Sequence, residues 1–211
     1  MNKMMKDYSF DEIFNKARIY LCDTDFTKIP ENAITKTFGA FTAIVSITDC
    51  SKDISGIIQK DDIERFDMNP DRFYLAVFGR QIRWENVRFD SVNNFVRSMF
   101  DEFRNIMETS AGVYYEKEDL FYLTSAEKNA AMAMYPGILQ DIYIFLGEDF
   151  YILPSSKMEF LVIRESVVDK SEDLVKMVQD TNECMGMNGT NMMLSDKVHF
   201  YSHTDGNIHI C

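Results

Sequence analysis

The amino-acid sequence predicts an α+β fold, in which an antiparallel or mixed sheet carries helices packed on one face. Segments rich in β-branched and aromatic residues alternate with segments whose apolar residues recur every three or four positions, which indicates strands and helices in one chain. The predicted C-terminal elements follow the order β-α-β-β-α-β, that of a split βαβ sandwich. With 211 residues, 46% of them hydrophobic, the chain suits a single domain, 1–211, with a more helical portion 1–115 and an α+β portion 116–211.

The first predicted elements are a helix and a strand region. Ser9 and Glu12 have the spacing of a capping box, and apolar residues at helical spacing continue to Leu21, so one helix is expected over 10–21. Residues 34–48 are rich in Thr, Ile, Val and Phe, which favours one strand or two strands joined near Gly39.

Two further helices are predicted before residue 115. Asn69 suits an N-cap, Pro70 suits the first helical position and Gly79 suits a stop, so a short helix is expected between them. After Ser91, residues 92–107 place apolar side chains on one continuous stripe, which is typical of an amphipathic helix packed on a core.

Turn residues divide the C-terminal half into regular elements. Pro136 and Gly147 bracket a helix, and Pro154 ends a strand that can form a hairpin with the next one. A capping-box spacing at Asp169 predicts a further helix, and the pair 205–206, Asp-Gly, predicts a two-residue hairpin turn. The predicted strands are 120–124, 150–153, 158–165 and the two arms of that last hairpin.

Three strings in this half resemble a known family. They are "MYPGIL", "YILPSS" and "LSD", within the longer segments 121–156, 172–183 and 194–201. About 90 residues, from 120 to 210, resemble the C-terminal part of an uncharacterised domain-of-unknown-function family, common in gut Firmicutes and their mobile elements and related to YtpQ-like proteins. Members of that family carry His-Glu shortly after the serine pair, where this chain has Met158 and Glu159. The resemblance implies no activity.

The charge distribution favours a protein partner over nucleic acid. Net charge is −12, and residues 116–211 hold 16 acidic and 7 basic residues, so most of the excess lies in that half. An acidic surface repels nucleic acid and attracts a basic protein surface. No export signal and no apolar run of about 18 residues is visible, and the four cysteines are widely separated, so we expect a cytoplasmic protein with reduced thiols and no membrane contact.

Ser155 and Ser156 follow a strand-ending proline, a position where catalytic serines can occur. A nucleophilic serine needs a base and oxyanion donors, and the sequence has neither a G-x-S-x-G elbow nor an S-x-x-K motif. Serines after such a proline are routinely turn residues that bond their own backbone. We therefore interpret the pair as part of a turn and assign no catalytic residue.

All three histidines of the chain lie close together in sequence. His199 and His203 share a face if 198–202 is a strand, and Asp196 lies just upstream, which makes a two-histidine, one-carboxylate metal site conceivable. Centring the hairpin on Asp205 and the following glycine places His209 opposite Ser202, on the other face. We expect solvated strand histidines, and keep Asp196, His199 and His203 as weak metal candidates.

A second cluster combines three arginines with the only tryptophan, namely Arg80, Arg83, Trp84 and Arg88. Arginine beside an aromatic ring can bind phosphate or stack on bases. Because the chain as a whole is acidic, an intramolecular contact with the acidic half is the simpler interpretation.

The leading hypothesis is a non-enzymatic acidic interaction protein that binds a basic protein partner. In one form it is a mobile-element-encoded inhibitor that presents carboxylates where a nucleic-acid-handling protein expects phosphates. The alternatives are a metal-dependent hydrolase that uses Asp196, His199 and His203, and a scaffold whose helix 92–107 docks on a partner or a second copy. No cofactor is expected.

Overall fold

The fold is that of a computed structural model, which describes residues 5–23, 25, 28–39, 41–49, 54–84, 86–92, 119–127, 129–135, 137–187 and 193–211. The predicted α+β class with antiparallel strands is confirmed. Residues 93–107 of the helix predicted after Ser91 lie outside the described ranges. None of the helices within those ranges combines the length and the apolar character that crossing a bilayer requires.

The described helices and strands are as follows. The helices are α1 (Phe10–Lys16), α2 (Lys60–Glu64), α3 (Pro70–Trp84), α4 (Ile138–Leu146) and α5 (Ser171–Met187), with short 3-10 helices at Ala130–Met134 and Glu165–Val167. The strands are β1 (Ala17–Asp23), β2 (Thr35–Phe38), β3 (Phe41–Asp49), β4 (Ile54–Ile57), β5 (Val87–Ser91), β6 (Leu120–Ser125), β7 (Phe150–Leu153), β8 (Glu159–Arg164), β9 (His199–Ser202) and β10 (Asn207–Ile210).

The first sheet has four strands, arranged around β3. Strand β1 pairs antiparallel with β3 along its whole length, and β2 and β4 share the other side of β3. The two strands β2 and β3 meet at Gly39, which has a φ of 56°, so the alternative with two joined strands is the correct one.

The predicted helix 10–21 is wrong beyond Lys16. The capping box of Ser9 and Glu12 is present, but the chain leaves the helix at Ala17, where ψ is 140°. From there Ala17, Ile19 and Leu21 are buried while the residues between them are half-buried or exposed, which is the two-residue period of a strand. Pairing with β3 therefore overrides a helical spacing that these residues satisfy by coincidence.

Helix α3 also differs from its prediction, because it continues through Gly79 to Trp84. The last turn carries Arg80 and Gln81, whose side chains reach carbonyl groups of α1 and β1. These contacts hold the helix together past a glycine that is only mildly unfavourable in a helix interior. Gly147, by contrast, ends α4 in the left-handed conformation (φ 77°), as predicted.

The second sheet has six antiparallel strands in the order β10-β9-β7-β8-β6-β5. It contains two split βαβ units. Strands β6 and β7, joined through α4, run parallel with β8 between them; β8 and β9, joined through α5, run parallel with β7 between them. The predicted split βαβ order of the C-terminal half is thus observed, but α4 and α5 pack on opposite faces of this sheet, where helices on one face were predicted.

The two faces of this sheet pack against different layers. One face joins the four-stranded sheet and α4 in a large core, where Phe41 of β3 meets Phe160 of β8 with ring centres 5.4 Å apart. The other face packs on α5 through a small core built on Leu153, Val178 and Val198. The six-stranded sheet is therefore the middle layer of the molecule.

Candidate functional site

The structure separates the three residues proposed as a metal site. His199 is fully buried and its ring stacks on Phe41, with centroids 4.1 Å apart. His203 lies outside β9 in the following turn and stacks on Tyr143 of α4 at 3.9 Å. Asp196 accepts a hydrogen bond from Asn182 Nδ2. Within the described ranges, no three His, Cys, Asp or Glu side chains are grouped so that they could hold a metal ion.

The turn between β9 and β10 explains why the predicted histidine register is wrong. The turn spans four residues, 203–206, and closes with the Gly206 amide donating to the Ser202 carbonyl at 2.9 Å. Asn207 therefore lies opposite Ser202, and His209 lies opposite Phe200 instead of Ser202. The displacement is two residues, so His209 still lies on the opposite face from His199, where it contacts Asp205 at 2.9 Å.

A buried polar cluster lies where the end of β1 meets the loop before β9. It comprises Asp23, Asp25, Ser195, Lys197 and His199, and we call it the seam cluster. The Ser195 hydroxyl donates a short hydrogen bond to the Asp23 carboxylate, and Lys197 Nζ lies 3.5 Å from Asp23 Oδ2 and 2.7 Å from Asp25 Oδ2. The cluster therefore joins residues that are 172 positions apart in the chain.

The electrostatics of the seam cluster favour a charged aspartate. Burial alone would raise the pKa of Asp23, but the Ser195 hydroxyl, the Asp25 amide and the Lys197 ammonium outweigh it and lower that pKa. The hydrogen bond from Lys197 to the Asp25 carboxylate, together with the charges of Asp25 and Asp23, raises the pKa of Lys197. Asp23 is 0% exposed, so its charge is compensated entirely by protein groups.

His199 is the one member of the cluster whose polar atoms are unpartnered. Neither ring nitrogen has a hydrogen-bond partner in the described part of the chain. Burial lowers the pKa of His199 to about 4, although the nearby Asp23 carboxylate acts in the opposite direction. The ring is packed closely: a Cβ atom added at Gly39 would lie 3.5 Å from its Cδ2 atom. His199 is thus a neutral ring in the large core.

The hydrogen bonds of the seam cluster connect separate elements of the fold. The Ser195 hydroxyl donates a hydrogen bond to the Asp23 carboxylate, and its oxygen accepts one from the Lys197 amide at 3.1 Å. Asn182 of α5 donates to the Ser195 carbonyl at 3.0 Å. These bonds fix the loop 194–197 against β1 on one side and against α5 on the other, so the "LSD" string connects three layers of the fold.

The serine pair lies in the connection between β7 and β8. The Ser156 hydroxyl accepts from the Met158 amide at 3.1 Å, and the Ser156 and Glu159 backbones bond each other at 3.1 and 3.4 Å. Ser155 Oγ lies 3.5 Å from a Glu159 carboxylate oxygen. Both serines are therefore engaged in ordering a tight turn.

The arginine cluster is divided by the structure. Arg80 donates to the carbonyl groups of Phe14 and Ala17 and lies over the Phe14 ring, so it joins the end of α1 to the start of β1. Arg83 and Arg88 are exposed, and the side chain of Trp84 lies outside the described part of the chain. Arg80 thus contacts the N-terminal part of the chain and not the acidic half 116–211, with which an intramolecular contact was expected.

Sequence reasoning missed the role of Asp23 and Lys197. Both occur in segments without a ligand-spacing motif, and their partners are remote in sequence. The available signal was indirect: "LSD" stood out as a family mark, and it places Ser195 beside Asp196. That mark did not indicate the strand to which Ser195 binds.

Comparison with known proteins gives a family but no activity. No curated protein and no solved structure matches the chain. A family model does match, and it extends well upstream of residue 120, where the resemblance was expected to begin. The match includes Ser195, Lys197 and His199 but begins after Asp23. The chain belongs to DUF5688, a family of unknown function whose model matches residues 33–203.

Proposed function

We propose that the protein is a non-enzymatic binding module that presents an acidic surface to a basic protein partner. The observation that carries the proposal is the outer face of α5. Its exposed side chains include Glu172, Asp173, Asp180 and Glu183, against a single exposed base, Lys176. A surface of one sign steers an oppositely charged partner towards it and is sensitive to salt.

The packing of α5 supports this use of its outer face. Val178 is buried against the sheet and Leu174 and Val175 are half-buried, so the helix is attached through one narrow stripe. Met177 is 44% exposed beside the acidic residues and offers an adaptable apolar contact at the edge of the surface. The face therefore combines charge for approach with some apolar area for contact.

The specific form of the proposal is an inhibitor of a nucleic-acid-handling protein, encoded by a mobile element of a Firmicute and acting in the cytoplasm. In this form of the proposal, the carboxylates along α5 bind the partner at the positions where the phosphates of its nucleic acid otherwise bind. The relation to YtpQ-like proteins belongs to the same proposal. The separation of Asp196, His199 and His203 gives the alternative metal-dependent hydrolase no support.

The test is affinity capture from lysate of the host at low and at high salt, followed by mass spectrometry. We expect a basic protein that is retained at low salt and released at high salt. The variant Asp173→Asn, Asp180→Asn, Glu183→Gln should weaken its binding by about tenfold at low salt, because it removes the steering charges without touching the buried stripe.

The matched control removes the same charge elsewhere. The variant Asp7→Asn, Glu31→Gln, Glu64→Gln changes three exposed acids that lie outside α5. It should retain the partner nearly as well as the natural chain. Equal loss in both variants would show that net charge alone, and not this face, governs binding; retention that is insensitive to salt would remove the electrostatic basis altogether.

A further inference from the structure

Strand β10 forms one outer edge of the six-stranded sheet, and its hydrogen-bonding groups divide between two sides. The Cys211 amide donates to the Val198 carbonyl at 3.0 Å, so these two residues form a hydrogen-bonded pair. Such pairs alternate along an antiparallel ladder, which makes His209 with Phe200 the next one. The amides and carbonyls of Ile208 and Ile210 therefore point away from β9.

Those outward groups have no hydrogen-bond partner in the described part of the chain. Ile210 is 53% exposed, which is unusual for an isoleucine in a sheet. The turn at Gly39 approaches this edge, and an added Cβ atom there would be 3.6 Å from the Ile208 carbonyl oxygen. Glycine, having no side chain, leaves that carbonyl less covered than any other residue would.

The outer edge of β1 in the other sheet shows how this molecule closes an edge. The Gln81 side chain accepts from the Ile19 amide at 2.8 Å and donates to the Ile19 carbonyl at 3.1 Å. Asn129 donates to the same carbonyl at 2.7 Å. Among the residues that the structure describes, no side-chain amide caps β10 in this way, and the strand contains neither the proline nor the lysine that prevent edges from pairing.

We propose that the edge of β10 pairs with β10 of a second copy of this chain. An antiparallel pairing about a two-fold axis through His209 places Ile208 opposite the partner subunit's Ile210, and Ile210 opposite the partner subunit's Ile208. Both residues in each pair have outward-facing amides and carbonyls, so every one of these groups finds a partner. The strand is self-complementary in this register, as a two-fold interface requires.

The side chains agree with the same register. Ile208 and Ile210 share the face of the sheet that turns towards the four-stranded sheet, since they lie opposite Tyr201 and His199. Cross-strand pairing brings each exposed Ile210 beside an Ile208 of the other copy, and the apolar side chains cover one another. The two sheets join into one continuous sheet across the dimer.

The test is sedimentation equilibrium of the chain 1–211 over a wide range of concentration. The natural chain should pass from monomer to dimer as concentration rises. Ile210→Pro removes an outward amide and spares the ladder with β9, so it should weaken dimerisation by about tenfold or more. Ile210→Lys keeps the backbone and adds an edge-blocking charge; it should have the same effect, and it decides the matter if the proline variant misfolds.

The matched control is Ile144→Lys, the same substitution at an exposed isoleucine of α4, outside β10. It should dimerise like the natural chain. A natural chain that stays monomeric at every concentration overturns the proposal, and so does a dimer that neither substitution at Ile210 weakens. The α5 variant should leave dimerisation unchanged, so this result is independent of the search for a basic partner.

Discussion

The two faces of the six-stranded sheet are packed to very different extents. At the start of β9, Val198 and His199 are adjacent in sequence and both fully buried, yet Val198 faces the small core under α5 and His199 faces the large core shared with the four-stranded sheet. The small core borders a pocket of about 100 Å³, partly open to solvent and lined by Leu153, Met177 and their neighbours. The difference indicates that packing on the large-core face contributes most of the stability. Substitutions on the outer surface of α5, on the other face, should therefore affect stability little.

The largest effect should come from deleting an aromatic ring in the large core. Phe160 is 0% exposed and packs on Phe41, so Phe160→Ala should lower the free energy of unfolding by about 3–5 kcal/mol. Val178→Ala in the small core should cost only about 1–2 kcal/mol. Urea denaturation of both variants measures the contrast, and losses of equal size would show that the two cores are equally important.

The histidine on the large-core face should make stability depend on pH. The pKa of His199 is about 4 in the folded protein against an ordinary value of 6.5, so the unfolded chain binds its proton first on acidification. The free energy of unfolding is therefore unaffected by His199 above pH 6.5, and it falls by up to about 3 kcal/mol as pH decreases towards 4.

The measurement is the free energy of unfolding at pH 7 and at pH 4.5 in the natural chain and in His199→Phe. Carboxylates contribute to both curves, so the informative quantity is the difference between them. The variant should lose less stability on acidification than the natural chain does. A His199→Phe curve parallel to that of the natural chain would contradict the assignment.

The sequence was sufficient for elements whose signals are local. Gly147 marked the end of α4, the capping box marked the start of α1, and short apolar and aromatic runs identified β6 and β7. These signals depend on neighbours within a few positions, so they survive whatever the rest of the chain does. The succession of strands and helices along the C-terminal half followed from these local signals.

The features that failed depend on contacts between remote residues. Ala17 to Leu21 fit a helical face as well as a strand face, and only pairing with β3 decides between them. Helix α3 passes Gly79 because Gln81 bonds Ile19, 62 positions away. The seam cluster was invisible for the same reason, since neither Asp23 nor Ser195 has a local motif that indicates the other.

Within the seam cluster, the two aspartates should differ in their effect on stability. Asp23 is 0% exposed and accepts from Ser195 and the Asp25 amide, whereas the side chain of Asp25 is 62% exposed. Asp23→Asn should lower the free energy of unfolding by about 2–3 kcal/mol, because Ser195 and Lys197 lose a charged acceptor that water cannot reach. Asp25→Asn should cost less than about 1 kcal/mol.

Thermal and urea unfolding at pH 7 compare these two variants directly. Since the pKa of Asp23 is lowered in the folded protein, its contribution is present above its ordinary pKa of 3.8 and is lost as pH falls below that value. The gap between the variants should therefore narrow in strong acid. A gap that stays constant with pH would mean that the Asp23 charge is not the source of the difference.

The smallest expected effect is the most specific test of the unequal faces. Val178 lines the cavity under α5, so Val178→Ile adds a methylene where there is space and should stabilise the protein by about 0.5–1 kcal/mol. Val162 lies on the opposite face, 0% exposed in the large core, and the same change there should cost about 1–3 kcal/mol through overpacking. Opposite signs for one chemical change, measured by urea denaturation, require that one face is underpacked and the other full. If both substitutions destabilise, the cavity under α5 is too constrained to accept a methylene, and the looseness attributed to that face is wrong.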